Sequence, residues 1–177
     1  MHTPPALHDL SPAAARLCLE VERFCLRELR LPRGAHLLLA LSGGADSTAL
    51  ALILRVLTPR LDLTLQALSV NHGLRPEAEE DAACALTACR RLDIPCAVRL
   101  ADVRALAAAE GLGLEDAGRR ARYALLEEER EALGANFIAL GHHAGDVSED
   151  VLLRLTRGTG WPALGGMCAS TRSSTCE

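Results

Sequence analysis

The sequence predicts an α/β fold, an open and mostly parallel doubly wound sheet of about five strands with helices on both faces. Short apolar runs alternate with longer stretches of helical periodicity, and this rhythm is typical of consecutive strand–helix–strand units. The length of 177 residues suits one compact domain. Apolar residues make up 49 % and charged residues 24 %, as in ordinary globular proteins, which excludes the disordered and fibrous classes.

The order of the elements follows from the apolar pattern. Ser11 and Pro12 form a typical helix start, and apolar residues then recur every four positions, at Leu17, Val21, Cys25 and Leu29. Leu and Ala dominate the later runs, so run length and flanking turns identify the strands better than β-propensity does. The predicted strands are 36–41, 63–70, 96–100 and 137–140, and the further predicted helices are 47–57, 77–92, 103–110, 115–133 and 148–157.

The predicted elements also divide the chain. We expect residues 1–35 to form a helix that packs on a domain of residues 36–167, and residues 168–177 to form a disordered tail without periodicity. No apolar run approaches the roughly 20 residues of a membrane helix, and no charged-then-apolar leader opens the chain. We therefore expect a cytoplasmic protein without membrane contact.

Composition limits the function classes. All 19 basic residues are Arg, so the chain itself supplies no lysine-dependent chemistry. The formal net charge of -4 argues against a nucleic-acid-binding surface that extends over the whole protein and leaves local Arg clusters as candidates. The 7 cysteines never form a C-x-x-C pair, which argues against a zinc or redox site of that type. We expect them to be small buried hydrophobic residues.

The loop after the first predicted strand carries the strongest functional signal. Two glycines let the backbone turn its N–H groups inward, and hydroxyl groups add donors beside the positive end of the following helix. This combination favours phosphate binding. The loop is not a Walker A motif, because it has no Lys, and it does not complete a G-x-G-x-x-G fingerprint. Its residues are Ser42, Gly43, Gly44, Ala45, Asp46, Ser47 and Thr48.

Asp46 is the unexpected member of that loop. A carboxylate that faces a bound anion is repelled unless a divalent cation bridges the two, so the loop implies Mg²⁺ on a polyphosphate. The alternative is a plain strand-to-helix turn in which the Ser and Asp side chains cap the helix. The loop by itself leaves both interpretations open.

A second polar loop, residues 141–149, follows the last predicted strand. Asp146 and Glu149 have the spacing of a capping-box variant that opens a helix. Asp146 is also a second carboxylate at the same sheet edge, and with Asp46 it could hold one metal ion. The adjacent His142 and His143 point to opposite sides of an extended chain, so we expect one of them to line the pocket.

A third element is the start of the long helix that spans residues 115–133. Glu115 and Arg119 form a favourable i,i+4 pair, and their stripe is either a solvated face or a place from which Arg119 reaches phosphate oxygens. The loop after the second strand, at Val70 and Asn71, is rich in turn residues.

Together these segments carry a resemblance. The loop of residues 42–47 is similar to the SGGxDS loop of the N-type ATP pyrophosphatases, the PP-loop superfamily, which cleaves ATP between its α- and β-phosphates. The segments VNHGLRPEAEED, LEDAGRRARYALL, GHHAGDVSED and RLTRGTGWPALGGM resemble, in order and spacing, the N-terminal domain of the tRNA(Ile)-lysidine synthases. The match runs from about His36 to Met167 and implies an adenine nucleotide alpha-hydrolase-like fold.

The resemblance implies a two-step reaction. The family adenylates the C2 oxygen of the wobble cytidine in the CAU anticodon of tRNA(Ile), and the ε-amine of free lysine then displaces AMP. It implies that ATP and Mg²⁺ are bound, with Asp46 and Asp146 on the metal and Arg119 on the phosphates. His142 and the backbone near Val70 would border the adenosine. The nucleotide-binding positions are then Ser42, Gly43, Gly44, Ala45, Ser47, Thr48, Val70, Asn71, Gly141 and His142.

The chain departs from the family pattern at three positions. Family members usually carry Asp where this chain has Asn71, and they often carry Asp in place of Gly145 and Thr in place of Asp150. Family members also continue into helical and C-terminal tRNA-binding domains, so with a net charge of -4 we expect this chain alone to bind tRNA weakly.

The alternatives are a non-catalytic Mg²⁺-ATP-binding module, and another PP-loop ligase or tRNA thiolase, the latter disfavoured by the missing C-x-x-C pair. The oligomeric state stays open, with a homodimer among the options.

Overall fold

The protein is described by a computed structural model, which covers residues 4–74 and 78–142. Four strands and five α-helices alternate in this part of the chain, after a short 3-10 helix, Leu7–Asp9. The strands are β1 (His36–Ala40), β2 (Thr64–Asn71), β3 (Cys96–Leu100) and β4 (Phe137–Leu140). The helices are α1 (Pro12–Arg27), α2 (Ala45–Leu61), α3 (Ala78–Leu92), α4 (Val103–Glu110) and α5 (Leu114–Leu133).

The sheet is entirely parallel in the described part, in the order β3-β2-β1-β4. Ala40 is paired with Leu68 of β2 on one side and with Leu140 of β4 on the other. The predicted parallel sheet is confirmed, with four strands rather than about five, because the described residues contain four apolar runs of strand length. Parallel pairing brings the loops that follow β1, β2 and β4 to one edge.

Helices cover both faces of the sheet because β1 is apolar at successive positions. Leu37 and Leu39 belong to a core formed with α1, α2 and α3, whereas Leu38 points to the opposite face. There it packs with Leu68 and with Leu126 of α5. A strand that is buried on both faces is expected at the centre of a parallel sheet.

The first helix confirms its predicted start and most of its predicted apolar face. The Ser11 hydroxyl accepts a hydrogen bond from the Ala14 backbone N–H at 3.3 Å, as an N-cap does. Cys25 is buried in the core, and Val21 and Leu29 pack against it, as the predicted stripe requires. Leu17 is wrong, because it is 49 % exposed and the neighbouring Cys18 is buried in its place.

Other helix bounds differ slightly from those predicted. The helix α2 continues to Leu61, four residues beyond the predicted end, since Leu61 is buried at 1 % exposure and holds the last turn against the core. The Arg60 guanidinium donates two hydrogen bonds of 2.9 Å to Glu22 and so joins α2 to α1. The predicted helix 148–157 and the predicted tail 168–177 lie outside the described residues.

Replacing Leu38 by Ala tests the two-sided burial of β1. Leu38 is 0 % exposed, so Leu38→Ala should lower the free energy of unfolding by about 2–5 kcal/mol, measured by urea denaturation. The matched control is Leu100→Ala on β3, where the side chain is 72 % exposed and the change should stay within about 0.5 kcal/mol. Equal losses at the two positions would contradict the central place of β1.

Candidate functional site

A cleft of about 520 Å³ opens at the carboxyl edge of the sheet, where β1, β2 and β4 end. Its volume lies within the range of about 300–1,000 Å³ that is usual for small-molecule sites, and such sites occur at this edge of α/β sheets. Leu68, Leu126 and Leu140 provide apolar walls. The polar lining consists of Ser42, Gly44, Asp46, Ser47, Ser69, Asn71, His72, Asp81, Arg122, Gly141 and His142.

The turn after β1 depends on Gly43. Its φ of +81° lies in the left-handed region, which favours glycine. A Cβ at this position would also lie 2.9 Å from the carbonyl carbon of Asp81 in α3. The turn therefore packs directly on the backbone of α3, and both constraints demand a residue without a side chain.

Hydrogen bonds within the loop fix its shape. The Ser47 and Thr48 hydroxyls both donate to the Gly44 carbonyl, at 3.0 Å and 2.9 Å. The Ser42 hydroxyl accepts from the Gly44 N–H at 3.3 Å and lies 3.1 Å from the Ser47 hydroxyl. In this structure the hydroxyls of Ser47 and Thr48, predicted donors to a phosphate, donate to the loop itself.

The first turn of α2 has no side-chain cap. Gly44 is the N-cap residue, and it makes no side-chain capping hydrogen bond. The Ser42 hydroxyl, two residues earlier, accepts the N–H of Gly44 itself. Backbone N–H groups at a helix N-terminus bind anions, aided by the helix dipole. The start of α2 lies at the cleft, where Gly44, Asp46 and Ser47 belong to the lining.

The loop after β4 lies against the same turn of α2. A Cβ at Gly141 would be 2.8 Å from the Cα of Ser47 and 2.9 Å from its backbone nitrogen. Only glycine allows this close approach, which carries His142 into the cleft lining beside Asp46. The predicted second carboxylate, Asp146, lies outside the described residues, as does His143.

The loop after β2 closes the third side of the cleft. The Asn71 side-chain oxygen accepts a hydrogen bond of 2.8 Å from the Gly73 N–H, which stabilises the turn locally. Val70 and Asn71 both line the cleft, where the sequence placed them. The Asn71 side chain thus stabilises the conformation of this loop.

Helix α5 supplies a cation to the cleft lining, Arg122, that the sequence analysis did not single out. Arg122 lines the cleft, and its buried Nε has no hydrogen-bond partner among the described residues. Arg119 is exposed and lies outside the lining, with its guanidinium carbon 5.9 Å from the centre of the Tyr123 ring. Sequence reasoning missed Arg122, although it stands three residues beyond Arg119 on the same helical stripe.

Not every predicted position faces the cleft. Gly43, Ala45 and Thr48 belong to the loop and to the first turn of α2, and they position its backbone without appearing in the lining. Within residues 4–74 and 78–142, no three His, Cys, Asp or Glu side chains are grouped as a metal site. Two described carboxylates line the cleft, Asp46 in the first turn of α2 and Asp81 in α3.

Replacing Gly141 by Ala tests the close approach to α2. The added Cβ would clash with the Ser47 backbone, so Gly141→Ala should lower the free energy of unfolding by about 1–3 kcal/mol. Gly113→Ala is the matched control, because a Cβ there meets no atom within 4 Å and the change should stay within about 0.5 kcal/mol. Both changes restrict the unfolded chain equally, so comparable losses would contradict the contact.

None of the helices in the described residues is both long and apolar enough to cross a membrane.

Comparison with known proteins agrees with this architecture. Among solved structures, the U34-tRNA thiolase NcsA from Methanococcus maripaludis superposes with a TM-score of 0.71 at 19 % identity, over 82 % of this chain and 51 % of that chain. The NMN synthetase from Francisella tularensis superposes with a TM-score of 0.52 at 18 % identity, over 90 % of this chain and 76 % of that chain. These similarities concern the fold.

Curated relatives are much more similar in sequence. The tRNA(Ile)-lysidine synthase of Nitratidesulfovibrio vulgaris is 56 % identical over 135 residues, which are 76 % of this chain and 39 % of the relative. The enzyme of the same name from Geobacter sulfurreducens is 43 % identical over 163 residues, 91 % of this chain and 34 % of the relative. The chain thus spans less than half of the length of these relatives.

A family model for the PP-loop domain matches residues 16–177, which include all the loops of the cleft that the structure describes. The resemblance expected from the residue 42–47 loop is confirmed at the level of the family. By this match the chain belongs to the PP-loop domain family.

Proposed function

We propose that this chain is the ATP-activating core of a tRNA(Ile)-lysidine synthase. The observation that carries the proposal is the identity of 56 % over 135 residues with a protein of that name, combined with a cleft whose helix start is open to an anion. In this reaction the C2 oxygen of the wobble cytidine attacks the α-phosphorus of ATP and pyrophosphate leaves. The ε-amine of lysine then attacks C2, and AMP leaves.

The cleft offers distinct surfaces for the two ends of ATP. The N–H groups of the first turn of α2 and the backbone at Gly44 would bind the departing β- and γ-phosphates. Val70, Leu68 and Leu140 form an apolar surface on which the adenine would lie, with His142 at its border. Hydrogen bonds from Ser47 and Thr48 to the Gly44 carbonyl would hold this loop ready before the nucleotide arrives.

Arg122 would provide the positive charge that the leaving pyrophosphate requires. A guanidinium donates to phosphate oxygens in a planar fork, and the buried Nε of Arg122 lacks a hydrogen-bond partner among the described residues. Burying a polar donor without a partner is unfavourable, so a bound phosphate would satisfy it. We propose that Arg119, on the exposed side of α5, contacts the phosphates from the rim of the cleft.

The carboxylate oxygens of the cleft suit a Mg²⁺ ion that is bound together with ATP. Carboxylate oxygens and phosphate oxygens are the ligands that Mg²⁺ prefers, and Asp46 lines the cleft in the first turn of α2. Asp46 and Asp146 would hold the ion. When bound, Mg²⁺ neutralises the charge that grows on the leaving pyrophosphate. Without a cation, the Asp46 carboxylate would repel the phosphates that the helix start attracts.

Catalysis in this scheme consists of positioning and electrostatic stabilisation. Attack at phosphorus needs the attacking and leaving oxygens in line, and little covalent chemistry is left to the protein. The chain contains no Lys, so the amine of the second step comes from free lysine. We place the reaction in the cytoplasm, and with a net charge of -4 we expect this chain alone to bind tRNA weakly.

Release of AMP tests the proposed reaction. With Mg²⁺-ATP, lysine and a tRNA(Ile) transcript that carries a CAU anticodon, the chain should form AMP and lysidine. Asp46→Asn should lower the rate at least tenfold, a loss of about 1.4 kcal/mol in transition-state stabilisation or more, because the metal-facing charge is removed. Asp62→Asn is the matched control, since Asp62 is exposed at a left-handed position that Asn tolerates.

The result also separates the rival functions. Mg²⁺-dependent ATP binding that is lost in Asp46→Asn, without AMP under any condition, would contradict the ligase reaction and leave a nucleotide-binding module. AMP formation that depends on tRNA but not on lysine would instead point to another PP-loop enzyme. Equal rates for Asp46→Asn and Asp62→Asn would contradict the metal-binding role of Asp46.

The two arginines of α5 give a further test. Arg122→Gln should raise the Kd for Mg²⁺-ATP about tenfold or more, because a charge-assisted hydrogen bond to phosphate contributes roughly 1.5–3 kcal/mol. Arg119→Gln should raise the Kd less than about threefold, since an exposed contact is screened by solvent. Titration calorimetry of both variants measures the difference. A larger loss in Arg119→Gln would contradict the assignment of Arg122 to the cleft.

A further inference from the structure

Two cysteines outside the cleft lie close together at the connection between α3 and β3. Cys89 lies in the last turn of α3, and Cys96 is the first residue of β3. Asp93 has a φ of +54° between them, and the Ile94 N–H donates to the Cys89 carbonyl at 3.0 Å. This tight turn reverses the chain so that both side chains pack on the core formed with α1, α2 and α3.

The two thiols are in contact but differ in their access to solvent. Cys89 is 1 % exposed, whereas Cys96 is partly exposed at the sheet edge. Each thiol has the largest effect on the pKa of the other, as expected for two sulfur atoms that lie side by side. The Cys96 thiol donates to the Ala97 carbonyl oxygen at 3.5 Å. Neither cysteine lines the cleft, so the pair has no role in the proposed reaction.

The different surroundings of the two cysteines determine which thiol reacts first. Accepting the hydrogen bond from Cys89 lowers the pKa of Cys96, although burial opposes this effect. Donating that hydrogen bond and being buried both raise the pKa of Cys89. A thiolate is the nucleophile in disulfide exchange, so Cys96 is the thiol that reacts with an external disulfide.

We propose that Cys89 and Cys96 are a thiol modification site that exchanges with small-molecule disulfides and closes an internal disulfide. The Cys96 thiolate attacks one sulfur of glutathione disulfide, whose S–S bond breaks, and one glutathione thiolate leaves with the bonding electrons. Cys89 then loses its proton and attacks the Cys96 sulfur, and the second glutathione leaves. Two protein thiols are oxidised, and one glutathione disulfide is reduced to two thiols.

The other described cysteines do not offer this arrangement. Cys18 and Cys25 are seven residues apart in α1, which is about 10 Å along a helix, and burial raises the pKa of both. Cys84 is exposed on α3, five residues before Cys89, and therefore faces another side of the helix. Cys84 can therefore be replaced without changing the proposed pair.

Peptide mapping tests the proposal in the complete 177-residue chain. The reduced protein, with Cys84→Ser to leave one cysteine in its peptide, is incubated without oxygen with glutathione disulfide in hundredfold excess over glutathione. Remaining thiols are alkylated, and trypsin then cleaves after Arg90 and Arg91. The expected product joins peptides 61–90 and 92–99 through Cys89 and Cys96, and dithiothreitol releases them. Absence of this product would overturn the proposal.

Two variants test the order of the steps. Cys89→Ala should accumulate one glutathione on Cys96, because the thiol that would displace it is missing. Cys96→Ser should leave Cys89 without glutathione, since Cys89 is buried and reaches solvent disulfides through Cys96. Circular dichroism verifies that both variants fold. Glutathione on Cys89 in the Cys96→Ser protein would contradict the assigned order.

Discussion

The close packing of the turn after β1 against α3, and of the loop after β4 against the first turn of α2, is the constraint on which the site depends. Gly43 lies against the backbone of α3, and Gly141 lies against the backbone of Ser47. These contacts hold the turn after β1 from two sides, while Gly44 leaves the helix start without a side-chain cap. The backbone at the start of α2 is thus held in a fixed position, with Asp46 in the first turn.

The sheet explains why the loops meet there. Strand β1 is buried on both faces, because Leu37 and Leu39 pack on one core and Leu38 packs on the other. It therefore lies in the interior of the sheet, between β2 and β4. Because the three strands are parallel, their carboxyl ends lie at the same edge of the sheet. The continuous apolar run of β1, which stabilises the fold, is also what brings Asp46 and His142 to one cleft.

Much of this architecture could be predicted from the sequence, because run length and glycine-rich turns are local signals. The bounds of α4 and β4 coincide with the predicted residues 103–110 and 137–140. Other features depend on tertiary packing and could not be predicted from the sequence. Periodicity puts Arg119 and Arg122 on one helical stripe, and only the rotation of α5 in the fold turns Arg122 toward the cleft. Likewise, the Ser47 hydroxyl has a partner inside the loop, the Gly44 carbonyl.

A crystal structure of the protein with Mg²⁺ and an ATP analogue that resists cleavage between the α- and β-phosphates tests the central claim most directly. The account predicts phosphate oxygens within hydrogen-bond distance of the backbone N–H groups that begin α2. It also predicts one metal ion held by the carboxylates of Asp46 and Asp146. Phosphates bound at another edge of the sheet, or carboxylates too far apart to share an ion, would contradict it.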